Sequence, residues 1–282
     1  AETDLITEAV EAARKSDVAI VFAGLSDHFE REGSDRQSLE LPNDQIELIN
    51  AVSAANGKTI VVLNTGAPVL MTRWIDHVPA LIEAWYPGQE GGTAIADILF
   101  GDVNPSGRLP VTFLREWKDS PAYPTYPGKN GMTHYSEGIF VGYRHFDRHN
   151  IEPLFPFGYG LSYTTFAYSD LALTVKKALP DPEIEVALTL ENTGKREGKE
   201  VVQLYVRDVV ASVERPTKEL KGFQIVALKS GEKTRVTLKL DKSSFAFFDP
   251  STNGWVVEPG QFEVMIGSSS KDIRLRSTLD FK

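Results

Sequence analysis

The run Glu30-Arg31-Glu32-Gly33-Ser34-Asp35-Arg36 packs carboxyl groups and guanidinium groups into a few positions. A carboxylic acid so placed is a candidate for general acid/base work, because it can give a proton to one reacting oxygen and take one from another. The run follows Val18-Ala19-Ile20-Val21-Phe22-Ala23-Gly24, an apolar stretch ending in glycine that reads as a buried strand. The polar run then lies in the loop at the carboxyl end of that strand, where α/β domains build their sites. Two readings stand side by side. Glu30, Glu32 and Asp35 solvate a surface loop, or one of them does chemistry. His28, just upstream, is a further proton carrier by type, although a solvated loop histidine is its more ordinary reading.

Other chemistries are excluded by what the sequence lacks. It has no cysteine, so thiol nucleophiles, disulfides and cysteine-ligated metals do not arise. His28, His77, His134, His145 and His149 show no HExxH or similar spacing, so neither a metal nor a cofactor is expected. No GxGxxG or Walker motif follows a strand, and no GxSxG elbow is present for a serine hydrolase. The net charge of −9, from 30 basic and 39 acidic residues, with no basic cluster, speaks against nucleic acid as a partner. No apolar run approaches the roughly 20 residues of a membrane span. At 282 residues, 41% apolar and 24% charged, there is room for about two globular domains.

The elements that must position the polar run alternate. Residues 3–16 carry Leu5, Ile6, Val10 and Ala13 at helical spacing, and residues 17–24 form the strand. Residues 45–55 follow as a helix with Ile46, Ile49 and Val52 on one face, Asn43 as its N-cap and Gly57 as its stop. Thr59-Ile60-Val61-Val62-Leu63-Asn64 is a second strand, residues 69–75 a short helix, and Ala80-Leu81-Ile82-Glu83-Ala84-Trp85 a third strand. Residues 93–100 read as a helix ended by Gly101, and residues 108–113 as a short final strand. Apolar strands alternating with amphipathic helices imply a mostly parallel sheet covered on both faces, a three-layer α/β sandwich. So few strands make an incomplete one. The chain also opens at Ala1 on a polar run that leads straight into a helix, which reads as the middle of a protein.

Residues 116–162 show no lasting period but are rich in proline, glycine and aromatics, which predicts a long loop that packs as glue between domains. In a sharper reading Tyr135 and Glu137 shape a pocket wall. From Asp170 onward the period is two, as in Glu183-Ile184-Glu185-Val186-Ala187-Leu188, and about seven short strands indicate an immunoglobulin-like β-sandwich with no catalytic constellation.

Taken together these segments resemble glycoside hydrolase family 3, the β-glucosidase family. Glu32-Gly33-Ser34-Asp35-Arg36 followed by Leu39-Glu40-Leu41-Pro42 is similar to its acid/base loop. Trp85-Tyr86-Pro87-Gly88-Gln89-Glu90-Gly91-Gly92 and Gly101-Asp102-Val103-Asn104-Pro105-Ser106-Gly107-Arg108-Leu109-Pro110 resemble its most recognisable segments. Pro156-Phe157-Gly158-Tyr159-Gly160-Leu161-Ser162-Tyr163 resembles the entry to its fibronectin type III-like domain. Glu200-Val201-Val202-Gln203-Leu204-Tyr205 and Glu219-Leu220-Lys221-Gly222-Phe223 resemble parts of that domain.

The resemblance implies a C-terminal part of such an enzyme: residues 1–115 from the α/β sandwich domain, 116–166 an aromatic interdomain loop, and 167–282 the fibronectin type III-like domain. It implies a retaining, exo-acting β-glucosidase acting on terminal β-D-glucosyl residues of oligosaccharides or aryl β-glucosides. A (β/α)8 barrel, on a separate chain or fragment, would supply the nucleophile and most sugar contacts. Glu32 takes the acid/base role, with Glu30 as the alternative carboxyl and Asp35 and Arg36 holding the loop, Arg36 by pairing a carboxylate. The resemblance leaves homo-oligomers open, and a β-xylosidase within the family. From the residues alone a non-catalytic carbohydrate-binding or scaffold module also stays open, its loop tyrosines and tryptophans stacking on sugars.

Overall fold

A computed structural model describes residues 2–281; Ala1, where the sequence reading opens, and Lys282 lie outside the described residues. Contacts divide the chain into two units, Ala1–Phe100 with Phe113–Tyr123, and Gly101–Thr112 with Pro124–Lys282. Among the described residues no helix is long and apolar enough to cross a membrane.

The first unit runs α1 (Glu2–Arg14), β1 (Ala19–Gly24), α2 (Asn43–Ala55), β2 (Thr59–Asn64), β3 (Ala80–Glu83) and α3 (Gly91–Phe100). The three strands form a parallel sheet in the order β1-β2-β3, with Ala19 opposite Thr59 and Ile60 opposite Ala80. Helix α2 buries Ile46, Ile49 and Val52, as its apolar spacing predicts, and packs on β1, β2 and α1. In β1 the pattern alternates: Ala19, Val21 and Ala23 are buried, while Ile20 and Phe22 on the other face are 43% and 59% exposed. The fully apolar run therefore reads as a strand buried on both faces, whereas among the described residues only one face of β1 is covered.

Local chemistry corrects several expectations. Asn43 does not cap α2, because its Oδ1 accepts Arg73 Nη1 at 2.9 Å and Pro42 occupies the cap position without a side-chain bond. The helix ends at Asn56, in extended conformation, rather than at Gly57. Asn56 Nδ2 donates to the carbonyls of Ala13 at 3.0 Å and Ser16 at 2.9 Å, tying the end of α1 to that of α2. The short helix expected over 69–75 is a turn followed by a single 3-10 turn, Ile75–His77.

In the second unit, residues 108–112 form no strand. Leu109 instead exchanges backbone bonds with the loop before the sandwich: its N–H donates to Tyr159 O at 2.9 Å, and Gly158 N–H donates to Leu109 O at 2.8 Å. The long aromatic stretch carries a 3-10 turn, Trp117–Asp119, and a short helix, α4 (Tyr143–Arg148), neither of which its period reveals. Tertiary stacking supports α4: Tyr143 stacks on Phe157 at 5.0 Å, meets Tyr205 edge-on at 6.0 Å, and Phe146 is buried.

The sandwich comprises β4 (Phe166–Lys177), β5 (Glu183–Asn192), β6 (Gly198–Asp208), β7 (Glu219–Leu228), β8 (Lys233–Leu240), β9 (Phe247–Asp249), β10 (Gly254–Val256), β11 (Gly260–Gly267) and β12 (Ile273–Phe281). Seven of these make two antiparallel sheets, β12-β11-β6-β7 and β4-β5-β8, and β9 and β10 make a separate hairpin. The period-two pattern puts Ile184, Val186, Leu188 and Leu190 of β5 into one core with Val202, Leu204 and Val206 of β6 and Val264 and Ile266 of β11. The fold class is thus α/β with a parallel sheet, followed by an antiparallel β-sandwich.

Candidate active site

Because β1, β2 and β3 are parallel, their carboxyl ends lie at one edge of the sheet, and the loops after them gather there. The loop after β1 folds back on itself. Arg31 and Ser34 pair across it in an isolated antiparallel bridge, so Glu32 and Gly33 form the tip. Gly33 has φ +76°, a left-handed backbone that costs a residue with a side chain about 1–2 kcal/mol. The space around it is open, so the turn requires glycine for its backbone and not for room. Glu32 is exposed, and among the described residues its carboxylate takes no hydrogen bond.

Glu30, two positions earlier, behaves in the opposite way. Its Oε2 accepts the Gly66 N–H at 2.7 Å and the Tyr86 hydroxyl at 2.6 Å, and its Oε1 lies 3.2 Å from Arg36 Nη1. The side chains of this pair are only 10% and 14% exposed. Arg36 Nη1 also donates to the Pro68 carbonyl at 3.3 Å. Gly66 follows β2 and Tyr86 follows β3, so one carboxylate gathers donors from its own loop and from both neighbouring ones. The Tyr86 ring needs a glycine beneath it: a Cβ at Gly66 would lie 2.7 Å from the ring. The bond to Glu30 pushes the Tyr86 phenol above its ordinary pKa.

The remaining sequence candidates are placed differently. Asp35 is exposed, and its backbone carbonyl accepts Gln37 Nε2 at 3.4 Å. His28 is exposed and edge-on to Phe29 at 5.1 Å. His28, Asp35 and Arg36 line a concavity of about 380 Å³ beside the loop, to which Glu32 does not contribute. Tyr135 and Glu137 belong to the second unit. Tyr135 is 82% exposed. Glu137 keeps Oε2 shielded from solvent and, among the described residues, without a hydrogen bond.

Glu83, at the end of β3, was hidden in the sequence because it sits in an apolar run and counts there as one strand residue. Burial is the main cause that raises its pKa from 4.5 to about 7, opposed by the Trp85 N–H at 2.9 Å and Thr65 Oγ1 at 3.4 Å and assisted by the charge of Glu30. A lone acid inside an apolar run was the available signal. Trp85, which donates to it, holds the left-handed φ of +52°. With a raised folded-state pKa, the unfolded chain holds fewer protons between about pH 4.5 and 7, so stability falls as pH rises through that window. Glu83→Gln cannot ionise and should gain on the wild type by up to about 3 kcal/mol from pH 4.5 to pH 8. Calorimetric unfolding of both proteins across that range checks it, and parallel curves would refute it.

Comparison with known proteins bears on this arrangement. Residues 2–163 match the glycosyl hydrolase family 3 C-terminal domain, and residues 200–270 match a fibronectin type III-like domain. The thermostable β-glucosidase B of Acetivibrio thermocellus is 49% identical over 278 residues, covering 99% of this chain and 37% of that protein. A β-glucosidase of Rhizobium radiobacter is 44% identical over 273 residues, covering 95% of this chain and 33% of that protein. The crystal structure of a family 3 β-glucosidase from Bifidobacterium adolescentis superposes with a TM-score of 0.95 at 40% identity, covering 99% of this chain and 41% of that one. A β-glucosidase from Kluyveromyces marxianus, solved in complex with glucose, gives a TM-score of 0.93 at 40% identity, over 99% of this chain and 33% of that one. The chain thus spans about a third of the length of the curated relatives it matches. A family match over more than half of its residues, and a structural match over nearly all of them, establish that this chain belongs to glycosyl hydrolase family 3.

Proposed function

We propose that this chain supplies the general acid/base of a retaining, exo-acting β-glucosidase that releases terminal β-D-glucosyl residues. Glu32 is that group, and the nucleophilic carboxylate lies on a (β/α)8 barrel outside this chain. The observation that carries the reading is the contrast at the loop tip. Glu32 is exposed and unengaged, whereas neighbouring Glu30 is committed to three donors. A proton donor must reach a substrate oxygen at about 2.6–3.2 Å, which an exposed tip residue can do and a shielded carboxylate committed to three donors cannot. The relatives named β-glucosidases, one of them solved with glucose, support the substrate class.

In the first half-reaction the barrel carboxylate attacks the anomeric carbon while Glu32 protonates the departing glycosidic oxygen. In the second, Glu32 takes a proton from water, which attacks the glucosyl–enzyme ester. Retention requires the two carboxyl groups about 5–5.5 Å apart and in opposite protonation states at the start. Asp35 and Arg36 hold the loop. Proton NMR of the complete enzyme acting on an aryl β-glucoside should show β-glucose as the first product, before mutarotation. Initial release of α-glucose, or turnover by this chain without the barrel, would overturn the reading.

A further inference from the structure

The loop that carries Glu32 is fastened to the loops after β2 and β3 through Glu30. We propose that Glu30 is a positioning residue that sets where Glu32 points, by locking its loop to the loops that follow β2 and β3. This inference rests on the acid/base reading of Glu32.

Three observations carry it. Glu30 faces donors from three separate segments: Arg36 on its own loop, the Gly66 amide after β2, and the Tyr86 hydroxyl after β3. The pair with Arg36 brackets the turn, since Glu30 lies one residue before Arg31 and Arg36 two residues after Ser34, the two residues that bridge beneath Glu32. The far anchor is itself specified. Gly66 lacks the Cβ that would strike the Tyr86 ring, and Trp85, just before Tyr86, keeps its left-handed φ with its N–H bonded to Glu83. An exposed ion pair would contribute little, but this one is shielded, and the bonds that the Glu30 carboxylate accepts from the Gly66 N–H and the Tyr86 hydroxyl, at 2.7 and 2.6 Å, have the short lengths of charge-assisted bonds. The loop tip has no comparable restraint of its own, because Glu32 accepts no hydrogen bond among the described residues.

Glutamine in place of Glu30 keeps the volume but offers one carbonyl oxygen where three donors converge, so either Arg36 or the Gly66–Tyr86 pair meets an amide N–H instead. The tip should then shift, and a displacement near 1 Å costs about 10²-fold in rate. In the complete enzyme, Glu30→Gln should lower kcat on cellobiose about 10- to 100-fold with little change in KM. It should spare the glycosylation step of dinitrophenyl β-glucoside, whose leaving group needs no proton. Tyr86→Phe, which removes one donor and no charge, should show the same selectivity at smaller size.

The decisive measurement is the double variant. On a Glu32→Gln background, Glu30→Gln should add almost nothing to the loss on cellobiose, because a positioning residue has nothing left to position. An equal loss on both substrates, an additive loss in the double variant, or unchanged cellobiose turnover by both Glu30→Gln and Tyr86→Phe would overturn the proposal. If Glu32→Gln alone turned over cellobiose normally, the acid/base reading itself would fail, whatever Glu30 did.

Discussion

Glu32→Gln in the complete enzyme is expected to lower kcat on cellobiose by about 10²- to 10⁴-fold, the range that a positioned general acid supplies. Glutamine preserves the shape of the side chain and removes only the transferable proton. With dinitrophenyl β-glucoside the first half-reaction should proceed nearly unimpaired, since the leaving group departs as an anion. The second half-reaction lacks its base, so the glucosyl–enzyme should accumulate and appear as a burst of dinitrophenolate. Azide, which needs no deprotonation, should restore steady turnover and yield β-glucosyl azide. Stability should stay within about 0.5 kcal/mol of wild type, because the Glu32 carboxylate is exposed and accepts no hydrogen bond among the described residues. That pairing of large kinetic and negligible thermal effect separates Glu32 from Glu30, whose shielded carboxylate serves three donors. Cellobiose turnover by the variant at the wild-type rate would remove Glu32 from the mechanism.

What could be read before any coordinates follows the range of the forces involved. The alternation of β1, α2, β2, β3 and α3, and the period-two strands of the sandwich, are local patterns in which every second residue of a strand, or every third to fourth of a helix, faces one core, so spacing alone discloses them. The polar loop after β1 was legible because it directly follows an apolar run ending at Gly24. Its fastening was not. Glu30 reaches a glycine amide 36 residues away and a tyrosine 56 residues away, and no local period marks such partners. Arg36 pairing a carboxylate was foreseeable from type, but not that the carboxylate would be Glu30. Residues 108–112 mislead for a related reason. Their apolar content suits a strand, yet Leu109 finds its backbone partners in Gly158 and Tyr159 rather than in the parallel sheet. Tyr143–Arg148 is helical because aromatic stacking against Phe157 and Tyr205 supports a segment too short to form alone.

The segment around residues 101–112 leads to the largest expected effect on stability. Arg108 Nη2 lies 3.1 Å from both Oε1 and Oε2 of Glu200 on β6, and the two side chains are 8% and 5% exposed. Two recognisable motifs, Arg108-Leu109-Pro110 and Glu200-Val201-Val202-Gln203-Leu204-Tyr205, therefore meet through a buried pair, and Gln203 Nε2 adds a bond to Gly158 O at 3.0 Å. Their distinctive residues serve packing within the second unit. Taking both charges out of water is costly, so the pair itself is weak evidence of stability, but removing one partner leaves the other buried and uncompensated. Glu200→Ala should thus cost about 3–5 kcal/mol and lower the melting temperature by roughly 10 °C. Glu11→Ala, which breaks the exposed Lys15–Glu11 pair at 3.9 Å, should leave it within about 1 °C. Replacing Arg108 and Glu200 together by methionine and leucine should recover most of the loss, since the penalty arises from the stranded guanidinium rather than from a missing attraction. Calorimetry on the single and double variants decides the matter: a single variant as stable as wild type would mean that water reaches the pair and that its burial here carries no energetic weight.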